Sequence, residues 1–109
     1  MNWIYDVSYL VGGACLANAV PHFVSGMTGR PFQSPFATPH GEGLSSSTVN
    51  VLWGFANAVL AYLLILRVGQ FDLRATGHAV AFGTGILLIA LFAARWFGRF
   101  HGGNQPLES

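Results

Sequence analysis

GLSSSTVNVLWGFANAVLAYLLIL, residues 43–66, runs without a single formally charged side chain. A hydrocarbon core about 30 Å thick is crossed by roughly 20 helical residues at about 1.5 Å rise each, so this stretch is long enough to span one. Its opening Gly43 and the hydroxyls of Ser45 to Thr48 offer a turn and a choice of helix caps, which puts the start of the helix near Val49. From there Asn50, Gly54, Asn57 and Ala61 recur at alternating steps of four and three residues and lie along one face. The remaining faces carry bulky groups such as Leu52, Phe55, Val59 and Leu60, suited to lipid or to neighbouring helices.

Working outward, residues 7–29 and 75–94 are likewise free of formal charge. With 52% hydrophobic and 8% charged residues, the 109-residue chain lies far from the composition of a soluble domain of its size. A fold of this length in water has too little interior to cover three such segments. The fold class that follows is an all-α membrane protein of one domain, with transmembrane helices at about 3–24, 49–67 and 76–96, a loop over 25–48 containing Pro, Gly and Phe, and a flexible tail over 101–109. The lipid bilayer is the first partner this implies. A net charge of +1 gives no reason to expect nucleic acid, and all five basic residues are arginines outside the apolar cores: Arg30, Arg67, Arg74, Arg95 and Arg99. The single Cys15 falls inside the first apolar segment and reads as a buried structural thiol.

The first segment reads as a span and not as a cleaved leader, because no Lys or Arg precedes it and Asp6 does. Trp3, Tyr5 and Tyr9 suit the headgroup level. Pro21 removes a backbone donor near the far end, which predicts a kink or an early stop, with Asn18 and His22 flanking the break. In the following loop Pro31, Pro35 and Pro39 recur every fourth residue and exclude helix. Phe32 and Phe36, with Arg30 beside them, predict an interface loop, anchored by its rings at the membrane surface; a re-entrant segment shielded by protein is the other reading.

The third helix places Gly77, Ala81 and Gly85 at four-residue spacing, which permits close backbone approach. Together with Gly54, Asn57 and Ala61 these residues form the expected helix-packing surfaces. The short link carrying Asp72 and Arg74 predicts that the second and third helices are antiparallel neighbours. Ala17-Asn18-Ala19-Val20 also recurs as Ala56-Asn57-Ala58-Val59. Such an echo between antiparallel helices arises by inverted repetition or by coincidence in Ala/Val-rich sequence, and Asn18 and Asn57 can hydrogen-bond across the pair in either case.

The chemistry-bearing side chains are few. Asn18, His22, Asn50 and Asn57 make a candidate polar intramembrane site. His22, His40, His101 and Glu42 can reach one membrane face and offer ligand types for a metal, but without ligand spacing; no metal or other cofactor is predicted. Ser25 and His22 lack an orienting acid, so no catalytic residue is assigned and no enzyme is expected. Three helices enclose little space. The leading expectation is therefore a non-enzymatic homo-oligomer or an accessory subunit of a larger membrane complex, ahead of an oligomeric channel or transporter and of a haem, quinone or metal-binding subunit. Arg30, Arg95 and Arg99 on the loop side outnumber Arg67 and Arg74 on the other, which predicts an exoplasmic N-terminus and a cytoplasmic C-terminus.

Overall fold

The computed structural model describes residues 3–104. Three helices, α1 (Trp3–Met27), α2 (Ser47–Leu66) and α3 (Thr76–His101), are each long and apolar enough to cross a membrane. A two-stranded antiparallel ladder, β1 (Phe32–Gln33) with β2 (Leu44–Ser45), ties the base of the loop between α1 and α2.

α1 is the central helix. It packs along both α2 and α3, while α2 and α3 make almost no contact with each other. The expectation that a short link makes α2 and α3 neighbours is thereby overturned, and the reason lies in α1. Consecutive helical residues point about 100° apart, so Gly12 and Gly13 open two different faces of one turn. A Cβ on Gly12 would meet Ile65 and Leu64 of α2, whereas one on Gly13 would meet Phe82 of α3. From the partner side, Gly54 lies against Phe23 and Gly85 against the Leu10 carbonyl. These close approaches seat Gly54 of α2 and Gly85 of α3 on α1.

The helix ends follow local chemistry. α1 runs through Pro21 to Met27, three residues past the expected end. Gly29 then adopts a left-handed φ of 76°, with Gly29 N–H donating to Gly26 O and Arg30 N–H to Ser25 O. That pairing is a Schellman stop, which satisfies the last carbonyls. Pro21 does not terminate the helix, because tertiary packing on both sides outweighs one missing donor. α2 begins two residues before Val49, since Ser46 is the hydroxyl that caps it, accepting from Val49 N at 3.2 Å.

α3 extends beyond Trp96 to His101. Its added turns are held by the loop. Trp96 Nε1 donates to Gly41 O at 2.8 Å, Arg99 pairs with Glu42 at 3.3 Å, and His101 Nε2 bonds Gln33 Oε1 at 2.9 Å. The tail expected from residue 101 therefore begins only after this helix, and positions 105–109 lie outside the described residues. Cys15 is half-buried and free, not buried as expected. The loop and the C-terminal end of α3 share one end of the bundle, and His78 packs on Tyr9 and Phe71 at the other.

Candidate functional site

At the loop end the seam between α1 and α2 is polar. Asn18 Nδ2 donates to Asn57 Oδ1 at 3.2 Å, and Asn57 Nδ2 donates in turn to the Trp53 carbonyl at 2.9 Å. One turn further along α1, His22 Nδ1 stands 2.8 Å from Asn50 Oδ1. His22 is 2% exposed and Asn50 is 0% exposed. The four residues of the candidate polar site are thus brought together as two bonded pairs, and within one chain they bond each other instead of lining an open path.

Asn50 joins the helix pair to the loop. Its Nδ2 lies 3.1 Å from Phe32 O, 3.2 Å from Ser45 O and 3.1 Å from Ser46 O. Three carbonyls on one side fix which end of the amide is nitrogen, so Oδ1 faces the imidazole and must accept from it. His22 Nδ1 is therefore the donor. In the neutral ring the lone pair then sits on Nε2, which has no hydrogen-bond partner among the described residues.

Around that imidazole the loop and α3 build aromatic walls. Phe32, Phe97 and Trp53 meet the His22 ring edge to face at centroid distances of 5.5, 5.8 and 6.4 Å. Phe32 also stacks on His101 at 5.3 Å. Phe36 remains 61% exposed and touches Trp53 edge-on at 5.0 Å. The two loop rings thus differ: Phe32 turns into the protein and Phe36 outward. Arg30 is exposed at the loop's start.

A cleft of ≈ 340 Å³ opens here, with Asn18 and His22 on its floor and Pro35, His40 and Gly41 along the loop side. Trp53, Trp96 and Phe97 supply ring surface. Trp53 Nε1–H is buried and has no acceptor among the described residues. A buried donor or acceptor without a partner costs about 1–3 kcal/mol; among the described residues Trp53 Nε1 is such an atom, whereas the bare His22 Nε2 belongs to a residue that lines the cleft. This combination of apolar walls and a few unmet polar groups is the usual make-up of a small-molecule site. The sequence singled out His22 but not Trp53, Trp96 or Phe97, which are unremarkable in apolar helices until the loop folds over them.

The other candidates part company. His40 Nδ1 bonds Pro35 O at 2.7 Å, His101 bonds Gln33, and Glu42 pairs with Arg99. Among the described residues no group of three or more His, Cys, Asp or Glu comes together to hold a metal. Ser25 makes no side-chain bond to His22 among the described residues, whose ring nitrogen is directed to Asn50 instead. Gly54, Asn57, Ala61 and Gly85 are buried within the chain, Ala81 is half-buried, and Gly77 stands open with nothing within 4 Å of an added Cβ. No family model, curated protein or solved structure matches this chain.

Proposed function

We propose that the chain is a multi-pass membrane protein that binds a small, largely apolar ligand in the loop-end cleft and performs no chemistry on it. The observation that carries this reading is the bare Nε2 of His22, a residue 2% exposed whose other nitrogen is tied down by an amide with three further bonds. His22 lines the cleft among ring surfaces of Trp53, Trp96 and Phe97, so its free lone pair is available to a ligand there.

Membrane placement rests on length and composition. The 26 residues of α3 reach roughly 39 Å, more than a core of about 30 Å requires, so its last turns with Arg95, Arg99 and His101 project to the headgroup level together with the loop. The cleft then opens at that interface, where a ligand enters from lipid or water. The arginine balance favours a cytoplasmic loop end.

An accessory-subunit or homo-oligomer role has less surface to draw on than the sequence suggested, since most of the small-residue stripes are covered by α1. Native mass spectrometry of the full chain, extracted gently from its own membrane, separates the readings. A retained small-molecule adduct that is lost in His22→Phe supports the ligand site. A bare chain, or a stoichiometric larger protein partner without any small-molecule adduct, contradicts it.

A further inference from the structure

We infer that the ligand of this cleft carries a pair of hydroxyl groups on an apolar body, one donating to His22 Nε2 and the other to Asn18 Oδ1. This assignment rests on the ligand site proposed above and adds the groups its occupant must carry. Both acceptors sit on α1, and hydrogen bonds to neighbouring side chains fix the role of each. The three carbonyls around Asn50 Nδ2 turn its Oδ1 to His22 Nδ1, so Nδ1 donates and the neutral ring keeps its lone pair on Nε2. The same logic holds one turn earlier. Asn57 Nδ2 donates to the Trp53 carbonyl, so Asn57 Oδ1 faces Asn18 and accepts from its Nδ2. Asn18 Oδ1 is then the other end of that amide, an acceptor with no partner among the described residues.

Both atoms are open to a ligand. Among the described residues, Trp53 Nε1 is the partnerless side-chain nitrogen or oxygen that the fold closes off completely. His22 Nε2 and Asn18 Oδ1 lack partners without being closed off, and both residues line the cleft, His22 with only 2% of its surface exposed in all. Four residues apart on one helix, their side chains stand side by side, with Cβ atoms about 5–6 Å apart. Hydroxyls on neighbouring carbons reach such a pair together. His40, on the loop side of the cleft, follows the same rule: Pro35 O can only accept, so His40 Nδ1 donates and its neutral ring keeps the lone pair on Nε2. An ether or a ketone has no donor and meets none of these atoms. An ammonium group would donate but adds a charge, and no carboxylate lines the cleft. The hydroxyl lone pairs have a donor in turn, since Gln33 lines the same cleft with Oε1 on His101 and leaves its Nε2 free. Trp96 and Phe97 supply apolar surface for the body of the ligand, and the volume of ≈ 340 Å³ holds a small diol while a long chain lies outside.

The test uses the full chain in lipid nanodiscs, labelled with ¹⁵N at histidine, and compares a terminal vicinal decanediol, decanol and the dimethyl ether of the diol at equal mole fractions in the bilayer. His40→Gln, His78→Gln and His101→Gln assign the His22 signals. The expected result is a saturable shift of His22 Nε2 with the diol, with affinity about threefold weaker for decanol and about tenfold weaker for the diether, as hydrogen bonds are lost one by one. Asn18→Leu should abolish the preference for the diol over decanol and keep that for decanol over the diether; the ligand comparison on the unaltered chain decides the question even if that variant does not fold. Equal affinity for all three, with His22 still shifting, would overturn the hydroxyl pair while leaving a ligand site standing, and so would tighter binding of decylammonium than of the diol. No saturable His22 shift with any of them would overturn the site as well. Displacement of the diol by glycerol places the hydroxyl pair on a water-soluble molecule and displacement by monodecanoylglycerol alone places it on a lipid, both in support of the class, whereas displacement by neither would overturn it.

Discussion

His22 Nδ1 and Asn50 Oδ1 lie 2.8 Å apart across the α1–α2 seam, although 28 residues separate them in the chain. Through this contact a helix with a proline one residue before the histidine, a loop and a second helix are fixed together. Asn50 is the junction, because the same side chain reaches the carbonyls of Phe32, Ser45 and Ser46.

Replacing Asn50 by Ala removes every one of those side-chain bonds and leaves the Phe32 and Ser45 carbonyls and an imidazole short of that partner, while Ser46 O keeps the backbone N–H of residue 50. The expected cost is at least about 2 kcal/mol, since each buried polar group left unmet costs about 1–3 kcal/mol. Reversible unfolding in mixed micelles measures it, and limited proteolysis should show cleavage within residues 34–43 that the unaltered chain resists. An unaltered unfolding midpoint would mean that the loop is held by its contacts with α3 alone.

Asn18 and Asn57 should couple weakly. In a double-mutant cycle with Asn18→Leu and Asn57→Leu, the interaction term is expected near 0.6 kcal/mol and below roughly 1.7 kcal/mol, the range for hydrogen bonds between helices in bilayers. Single substitution of Asn57 should cost more than that of Asn18, because Asn57 also donates to the Trp53 carbonyl.

How much of this was legible beforehand depended on whether the signal was local. Absence of charge over three long runs marked the helices, and the four-and-three spacing marked Asn50, Gly54, Asn57 and Ala61 as one face. Periodicity does not say which helix covers a face, so the central place of α1 was not legible. The Gly12-Gly13 pair carries that information, but two adjacent glycines do not by themselves say which helix closes on each. The extension of α3 past Trp96 and the inward turn of Phe32 depend on contacts such as Trp96 to Gly41, 55 residues apart, which no local pattern encodes. His22 stood out as a polar residue in an apolar segment, whereas the aromatic walls of its cleft did not.

Two glycines on α3 should respond oppositely to the same substitution. A Cβ on Gly85 would run into the Leu10 carbonyl of α1, so Gly85→Ala is expected to destabilise by about 1–3 kcal/mol through overpacking. Nothing lies within 4 Å of a Cβ on Gly83, where Ala should be neutral or stabilising by up to about 1 kcal/mol. Thermal unfolding of the two variants side by side checks the sign, and a similar loss in both would argue against α1 and α3 meeting at Gly85.

The loop's hold on α3 should depend on Trp96 more than on Arg99. Trp96→Phe leaves the Gly41 carbonyl without its indole donor, while the Arg99 to Glu42 pair is solvent-exposed and worth at most about 1 kcal/mol. Hydrogen exchange over residues 34–43 should rise clearly in Trp96→Phe and little in Arg99→Ala.

The ligand site stands or falls on the tautomer of His22. With ¹⁵N-histidine in the ligand-free full chain, a neutral ring is expected with the proton on Nδ1, bonded to Asn50, and an unprotonated Nε2 open to the cleft. A ring protonated on Nε2 would contradict this, since Asn50 would then be the donor and the bare acceptor on which the ligand site rests would not exist.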